Sequence, residues 1–415
     1  MLSRADTFAA IDVGTTKVCT LVGDLTPERH LRILGVGITP SAGVSKGMVD
    51  NIQQATEAIL NSVEKAERSS GTRIIAAHVG IAGSHIGSLN NRGVISIPGR
   101  HRPIAREDIA RALEAARSVS IPTNRDVLHV LPRYYMVDGQ EHVSDPSGMH
   151  GQRLDVEAHI VTGTMTAVQN LTKCVEGAGV QAEDLVLAPL ASAAAVLEEE
   201  ERQQGVVLAD IGGGTTDIAA FVDGSIHHTA VLPVGGYHLT HDLVAGLRAP
   251  FSAAEEAKER HGHALPSTLD PEEMVEVEAF GNQRRKTVSR RRMAEIIQAR
   301  AEEMLEMIFL EVKRAGFDEM LAAGLVLTGG TANLQGLAQL AEQVLRMPVR
   351  IGVPRELVGL ADALANPTYA TSVGLLQWAI GESERAVGWS RPRPAPALAD
   401  WLRRLGGWVR ALLPQ

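Results

Sequence analysis

The stretch Phe8-Ala-Ala-Ile-Asp12-Val-Gly-Thr-Thr-Lys17-Val-Cys-Thr-Leu-Val22 recurs in weaker form as Val206-Val-Leu-Ala-Asp210-Ile-Gly-Gly-Gly-Thr-Thr-Asp217-Ile-Ala-Ala-Phe-Val222. Each copy reads as a β-hairpin: an apolar run enters, an aspartate ends it, glycines and hydroxyl residues turn the chain, and a second apolar run leaves. A third segment, Gly324-Leu-Val-Leu-Thr-Gly-Gly-Thr-Ala-Asn333, repeats the strand-then-glycine order and leads into a helical pattern over residues 334–345. Three such turns in one α/β chain imply two related lobes that share one ligand.

The turns also suggest which ligand. A triphosphate requires backbone N–H groups that close on its oxygens, which favours glycine, and hydroxyl donors beside them, which favours threonine. Gly14-Thr15-Thr16 and Gly212-Gly213-Gly214-Thr215-Thr216 supply both. Lys17 adds a point charge that could reach a β- or γ-phosphate. Asp12 and Asp210, each at a strand end before its turn, are placed to organise a hydrated Mg²⁺, which keeps several waters and takes only one or two carboxylates. The dipeptide Gly-Lys never occurs, so a P-loop is excluded. The expected ligand is ATP·Mg²⁺ in a cleft.

Composition narrows the remaining classes. The 415 residues, 45% hydrophobic and 21% charged, suffice for two or more packed domains. A formal net charge of -9 argues against a nucleic-acid partner, which calls for a broad basic excess. Cys19 and Cys174 match no metal or redox spacing and read as packing residues in a reducing compartment. The N-terminus reaches a glycine turn too soon for a signal-peptide core, and no stretch approaches the roughly 20 apolar residues of a membrane-crossing helix. Between the hairpins, residues 53–67 read as a helix and 74–81 as an apolar run. Residues 84–163 read as a separate α+β insert, with strands near 93–97, 127–136 and 159–162 and a helix near 106–117 whose start is marked by Glu107 and Asp108. Helices are expected near 238–246, 253–261 and 291–315.

The last residues form an amphipathic pattern. At 100° per residue, Trp401, Leu402, Leu405, Trp408, Val409, Leu412 and Leu413 fall within about 140° of arc, with Arg403, Arg404 and Arg410 on the other face. Tryptophans opposite arginines suit a helix lying in an anionic membrane surface. Pro392, Pro394 and Pro396 separate it from the body as an extended linker. Gly406 and Gly407 each cost roughly 1 kcal/mol in helix propensity, so the helix is expected to fold on lipid.

Residues 12–17, 210–217 and 327–333 resemble the phosphate-1, phosphate-2 and adenosine motifs of the actin, Hsp70 and sugar-kinase superfamily. Within it, Val127-Leu-His-Val-Leu-Pro132, Leu190-Ala-Ser192, Ala254-Glu255 with Lys258, Arg260-His261-Gly262 and Tyr369-Ala-Thr-Ser-Val-Gly374 resemble the cell-division FtsA family over roughly residues 5–380. The resemblance implies an α/β, actin-like two-lobed ATPase fold of duplicated RNase H-like domains, with a small α+β insert and a C-terminal amphipathic helix. Its divisions would be 1–83, 164–200 and 350–381 for the first lobe, 84–163 for the insert and 201–349 for the second lobe, with a smaller subdomain at about 237–305. A linker at 382–398 and a membrane-targeting helix at 399–415 would follow.

The same resemblance implies that Glu255 and Lys258 sit beside the ribose and that Gly329, Gly330 and Asn333 border the nucleoside; taken alone, Glu255 and Lys258 read as a solvated helix face. It implies binding of the FtsZ C-terminal tail, for which the basic run at Arg290, Arg291 and Arg292 together with Arg300 is the candidate surface, where an exposed helix start is the plainer reading. It further implies self-association into filaments, recruitment of later division proteins, partly through the insert, and residence on the cytoplasmic face of the membrane at the division site. Hydrolytic superfamily members carry a Glu or Gln just before the second hairpin; here Leu187-Ala-Pro-Leu-Ala-Ser192 offers neither carboxylate nor amide, so slow or absent ATP hydrolysis is expected. The rival readings are a pilus-assembly platform related to FtsA and a kinase of the superfamily, neither of which accounts for the Trp/Arg terminus.

Overall fold

The repeat in sequence is a repeat in topology. The computed structural model describes residues 7–99, 102–280 and 285–390. In the first lobe, strands Phe8–Val13, Lys17–Leu25 and Leu31–Pro40 form an antiparallel meander. Ala76–Ile81 and then Gln181–Leu187 join in parallel on the free side of Phe8–Val13. In the second lobe, Val206–Ile211, Thr216–Val222 and Ser225–Leu232 make the same meander, and Gly324–Thr328 and Val349–Ile351 add in parallel in the same order. Strand Leu357–Gly359 returns to the outer edge of the first sheet.

Helices cover these sheets on both faces, which explains the near-continuous apolar strands. Every residue of Val206–Ile211 and Thr216–Val222 is buried. Helix Ile52–Ser70 starts where Asn51 accepts from the Gln54 N–H at 3.1 Å and stops at Gly71 in the left-handed conformation. Its Ala55, Ile59, Ser62, Val63 and Ala66 recur at helical spacing and face the sheet. Two further helices join the lobes. Ala188–Val196 is apolar except at Ser192, with Pro189 in its first turn, and leads from the first sheet to the second. Ala370–Ser390 leads back, packing on Ala188–Val196 and on strands Phe8–Val13, Lys17–Leu25 and Ala76–Ile81. One apolar cluster therefore contains Leu21, Leu190, Leu208 and Leu376, from both lobes and both crossing helices.

The insert is a four-stranded antiparallel sheet in the order Gly87–Ser96, Arg153–Thr164, Arg125–Val137, Gln140–Val143, covered by helix Arg106–Arg117 over its own core of Ile104, Ala112, Leu154 and Val156. Asp108 starts that helix: it accepts from the Ala105 N–H at 2.9 Å and pairs with Arg102 at 2.6 Å and with Arg111. The Arg102 guanidinium, ahead of that backbone bond, holds the Asp108 carboxyl well below the usual carboxylate range.

Helix Ala370–Ser390 runs through the first half of the stretch 382–398 that sequence pattern assigned to a linker. The rest of that stretch and the expected amphipathic helix, from Trp401 through Leu413, lie outside the described residues. No helix among the described residues is long and apolar enough to cross a membrane.

Candidate functional site

The two hairpin turns close in the same way and face each other. Gly14 N–H donates to the Lys17 carbonyl at 3.0 Å, and Gly212 N–H to the Thr215 carbonyl at 2.9 Å. A Cβ on Gly213 would stand 2.5 Å from Thr16 Cγ2, and one on Gly214 would stand 2.9 Å from Thr15 Oγ1, so glycine is what permits the approach. The third turn joins them: Thr331 Oγ1 donates to the Gly212 carbonyl at 3.1 Å, and Gly329, at φ 85°, sits so close that a Cβ would lie 2.3 Å from Asp210 Oδ1. Between the turns is a cavity of about 430 Å³, within the range of ligand-sized clefts.

Its wall contains Asp12, Gly14, Thr15, Thr16, Lys17, Asp210, Gly212, Gly213, Thr215, Glu255, Lys258, Gly329, Gly330 and Asn333. Gly214 and Thr216 do not line it. Thr216 is fully buried and donates its hydroxyl to the Val234 carbonyl at 2.8 Å, a bond that holds the turn rather than one that reaches a ligand.

The crossing helices aim the two strand-end aspartates. Ser372 Oγ donates to Asp12 Oδ2 at 2.8 Å; Ser192 Oγ and Thr371 Oγ1 donate to Asp210 Oδ2 at 2.5 and 2.9 Å. Burial pushes both carboxyls above their ordinary range, and Lys17 and these hydroxyls pull back. Asp217, one register step beyond Thr216, is a third carboxylate on this wall and is buried like Asp210. One of its oxygens accepts from Thr215 Oγ1 at 3.2 Å and the other has no partner among the described residues, while burial and then the nearness of Asp210 raise its pKa well above the ordinary value. In sequence Asp217 stands only inside the second hairpin repeat, with no role attached, although it is the one charged residue of its strand.

An electron-rich wall with an orphaned carboxylate oxygen fits a hard divalent cation. No group of three His, Cys, Asp or Glu among the described residues is arranged to hold a metal directly. Were Mg²⁺ bound here, Asp12 and Asp210 would be the carboxylates that hold it, in keeping with an ion that takes one or two carboxylates and keeps several waters.

Lys17 donates to the Thr368 carbonyl at 2.7 Å and lies 5.0 Å from the Tyr369 ring centroid. Glu255 and Lys258, plain surface residues by composition, form a bidentate pair at 2.8 and 2.9 Å on the cavity wall, and Lys258 also reaches Thr240 Oγ1 at 2.9 Å. Asn333, at the rim, exchanges amide hydrogen bonds with Asn366 at 3.1 and 3.2 Å. The basic run behaves differently from the solvated surface that the sequence suggests. Arg290 is mostly buried: it pairs with Glu273 at 2.9 Å and donates to the His261 carbonyl at 2.9 Å. Arg300 pairs with Asp242 at 2.6 Å, and Arg292 with Glu295 at 2.8 Å. Arg291, partly exposed, has no such partner among the described residues.

Two facing lobes of one topology, joined by two crossing helices over a glycine-lined cleft, define an actin-like protein. Residues 207–374 match the family described as cell division protein FtsA, and residues 83–162 the SHS2 domain inserted in FTSA. The cell division protein FtsA of Pseudomonas aeruginosa is 42% identical over 97% of this chain and 97% of its own length. Among solved structures, the PilM-PilN type IV pilus biogenesis complex aligns with a TM-score of 0.65 at 16% identity, covering 90% of this chain and 98% of the other. MreB5 of Spiroplasma citri bound to ADP aligns with 0.56 at 12%, covering 94% and 100%. The chain belongs to the FtsA family of cell-division proteins.

Proposed function

We propose that this division protein binds ATP·Mg²⁺ between its lobes, hydrolyses it slowly or not at all, self-associates into filaments, and tethers FtsZ filaments to the cytoplasmic face of the membrane at the division site, where it recruits later division proteins. The observation that carries the reading is the convergence of Asp12, Asp210 and both Gly-Thr turns on one cavity whose wall also holds Glu255 and Lys258. Slow turnover follows from the segment entering the cleft ahead of the second hairpin, where Ala188 presents only a methyl group to the cavity. Purified protein with ATP·Mg²⁺ is expected to release phosphate far below 1 s⁻¹, the low end of common enzyme rates; turnover at that rate or faster overturns this part.

The tether in this reading is the segment 399–415, whose tryptophans and leucines suit acyl chains and whose arginines suit anionic headgroups. In vesicle pelleting with ATP, the full chain is expected to carry a labelled FtsZ tail peptide down with anionic vesicles. The chain lacking 399–415, or carrying Trp408→Glu, is expected to stay in the supernatant. Equal pelleting of these forms contradicts the anchor. Arg290 and Arg300 are largely covered in intramolecular pairs, so the partly exposed Arg291 and the exposed Arg292, whose own pair with Glu295 lies at the surface, are the informative positions for peptide capture: reversing both to Glu is expected to abolish it with little change in stability, and retained capture contradicts this surface.

A further inference from the structure

Between the first meander and helix Ile52–Ser70 the chain forms a miniature hairpin, with Val44 paired to Val49 and Ser45 to Met48. Its two-residue turn is Lys46-Gly47, both left-handed at φ 49° and 73°. Asn-Gly or Asp-Gly is the usual choice for such a turn, so the lysine is not explained by turn chemistry. The tip is wedged against both phosphate-type turns: from the point where a Cβ on Gly214 would stand, Lys46 Cα is 3.1 Å away, its nitrogen 3.2 Å and Thr15 Oγ1 2.9 Å. Gly47 itself lines the cavity. The Lys46 side chain is exposed and makes no hydrogen bond or ion pair among the described residues, whereas Lys17 is engaged by the Thr368 carbonyl and Lys258 by Glu255. The cavity that Gly47 lines also carries the carboxylates of Asp12, Asp210 and Asp217, so a polyphosphate there requires cationic compensation. An ammonium on a flexible four-carbon stem suits that task.

We propose that Lys46 reaches over the mouth of the cleft to the terminal phosphate of a bound nucleoside triphosphate, so that the Lys46 hairpin distinguishes triphosphate from diphosphate. This rests on the nucleotide reading given above and adds the residue that senses the γ-phosphate.

The test titrates the full-length protein with N-methylanthraniloyl ATP and ADP in Mg²⁺. Lys46→Gly relieves the left-handed turn, so it is expected to keep or raise Tm. It should lose ATP affinity about tenfold while ADP affinity moves less than about twofold. Lys46→Arg keeps the charge and is expected to keep the wild-type preference; Lys46→Gln, with the wild-type backbone requirement, should repeat the loss. Equal losses for both nucleotides, or no loss in either uncharged variant, overturn the role of Lys46. A wild-type protein that binds neither nucleotide instead overturns the reading of the cleft itself.

Discussion

Replacing Gly374 with valine is expected to destabilise the protein by roughly 3 kcal/mol and to weaken nucleotide binding in whatever fraction stays folded. Gly374 lies where helix Ala370–Ser390 crosses helix Ala188–Val196, and a Cβ there would stand 1.8 Å from the Ala191 carbonyl oxygen. That contact is with backbone, so no side-chain rotation relieves it, and the helices must separate. Thr371 and Ser372 sit on the displaced turn and Ser192 on the opposing one, so separation breaks the hydroxyl bonds that aim Asp12 and Asp210. Gly381, on the same helix, meets nothing within 4 Å among the described residues, and Gly381→Ala is therefore expected to gain about 1 kcal/mol of helix propensity. Thermal unfolding and nucleotide titration of the two variants separate the causes. An unchanged Tm in Gly374→Val would show that the crossing helices do not hold the cleft.

This coupling marks the boundary of what the sequence discloses. The turns at Gly14 and Gly212 are legible because their chemistry is local: one short segment contains the strand, the aspartate, the glycines and the hydroxyls. The hydroxyls that aim those aspartates stand in sequence only inside the family-like stretches 190–192 and 369–374, with no role attached, because Thr371 reaches Asp210 across 161 positions and Ser372 reaches Asp12 across 360. Helix Arg106–Arg117 and the long helix Arg290–Arg314 lie within a residue of their expected bounds, since apolar spacing and an acidic or hydroxyl start specify both. Strand Ser225–Leu232 and helix Met165–Gly177 lacked comparable signals. The arginines mislead for the same reason that the hydroxyls hide: Glu273 and Asp242, which neutralise Arg290 and Arg300, are brought in by the fold from 17 and 58 positions away.

The cleft also carries a cost that one substitution should expose. Asp210 is 7% exposed, and burial raises its pKa, so ionising it in the folded state is unfavourable relative to the unfolded chain. A carboxyl whose folded pKa lies above its unfolded value costs stability at neutral pH, and the cost fades as pH falls through the folded pKa towards the unfolded one. Asp210→Asn keeps the shape and an oxygen able to accept from both Ser192 and Thr371, but removes the charge. Without nucleotide it is expected to raise Tm at pH 7 and to lose that advantage as the pH approaches 4, near the ordinary aspartate value of 3.8. Affinity for ATP·Mg²⁺ is expected to fall about 100-fold, the upper range for removing an outer-shell partner of a metal. The two effects have one origin, because the carboxylate that strains the empty cleft is the one a hydrated cation would relieve. Differential scanning fluorimetry across pH, paired with nucleotide titration, reads both. A variant that unfolds at lower temperature without nucleotide, or binds ATP·Mg²⁺ as wild type does, removes Asp210 from the cation-binding role.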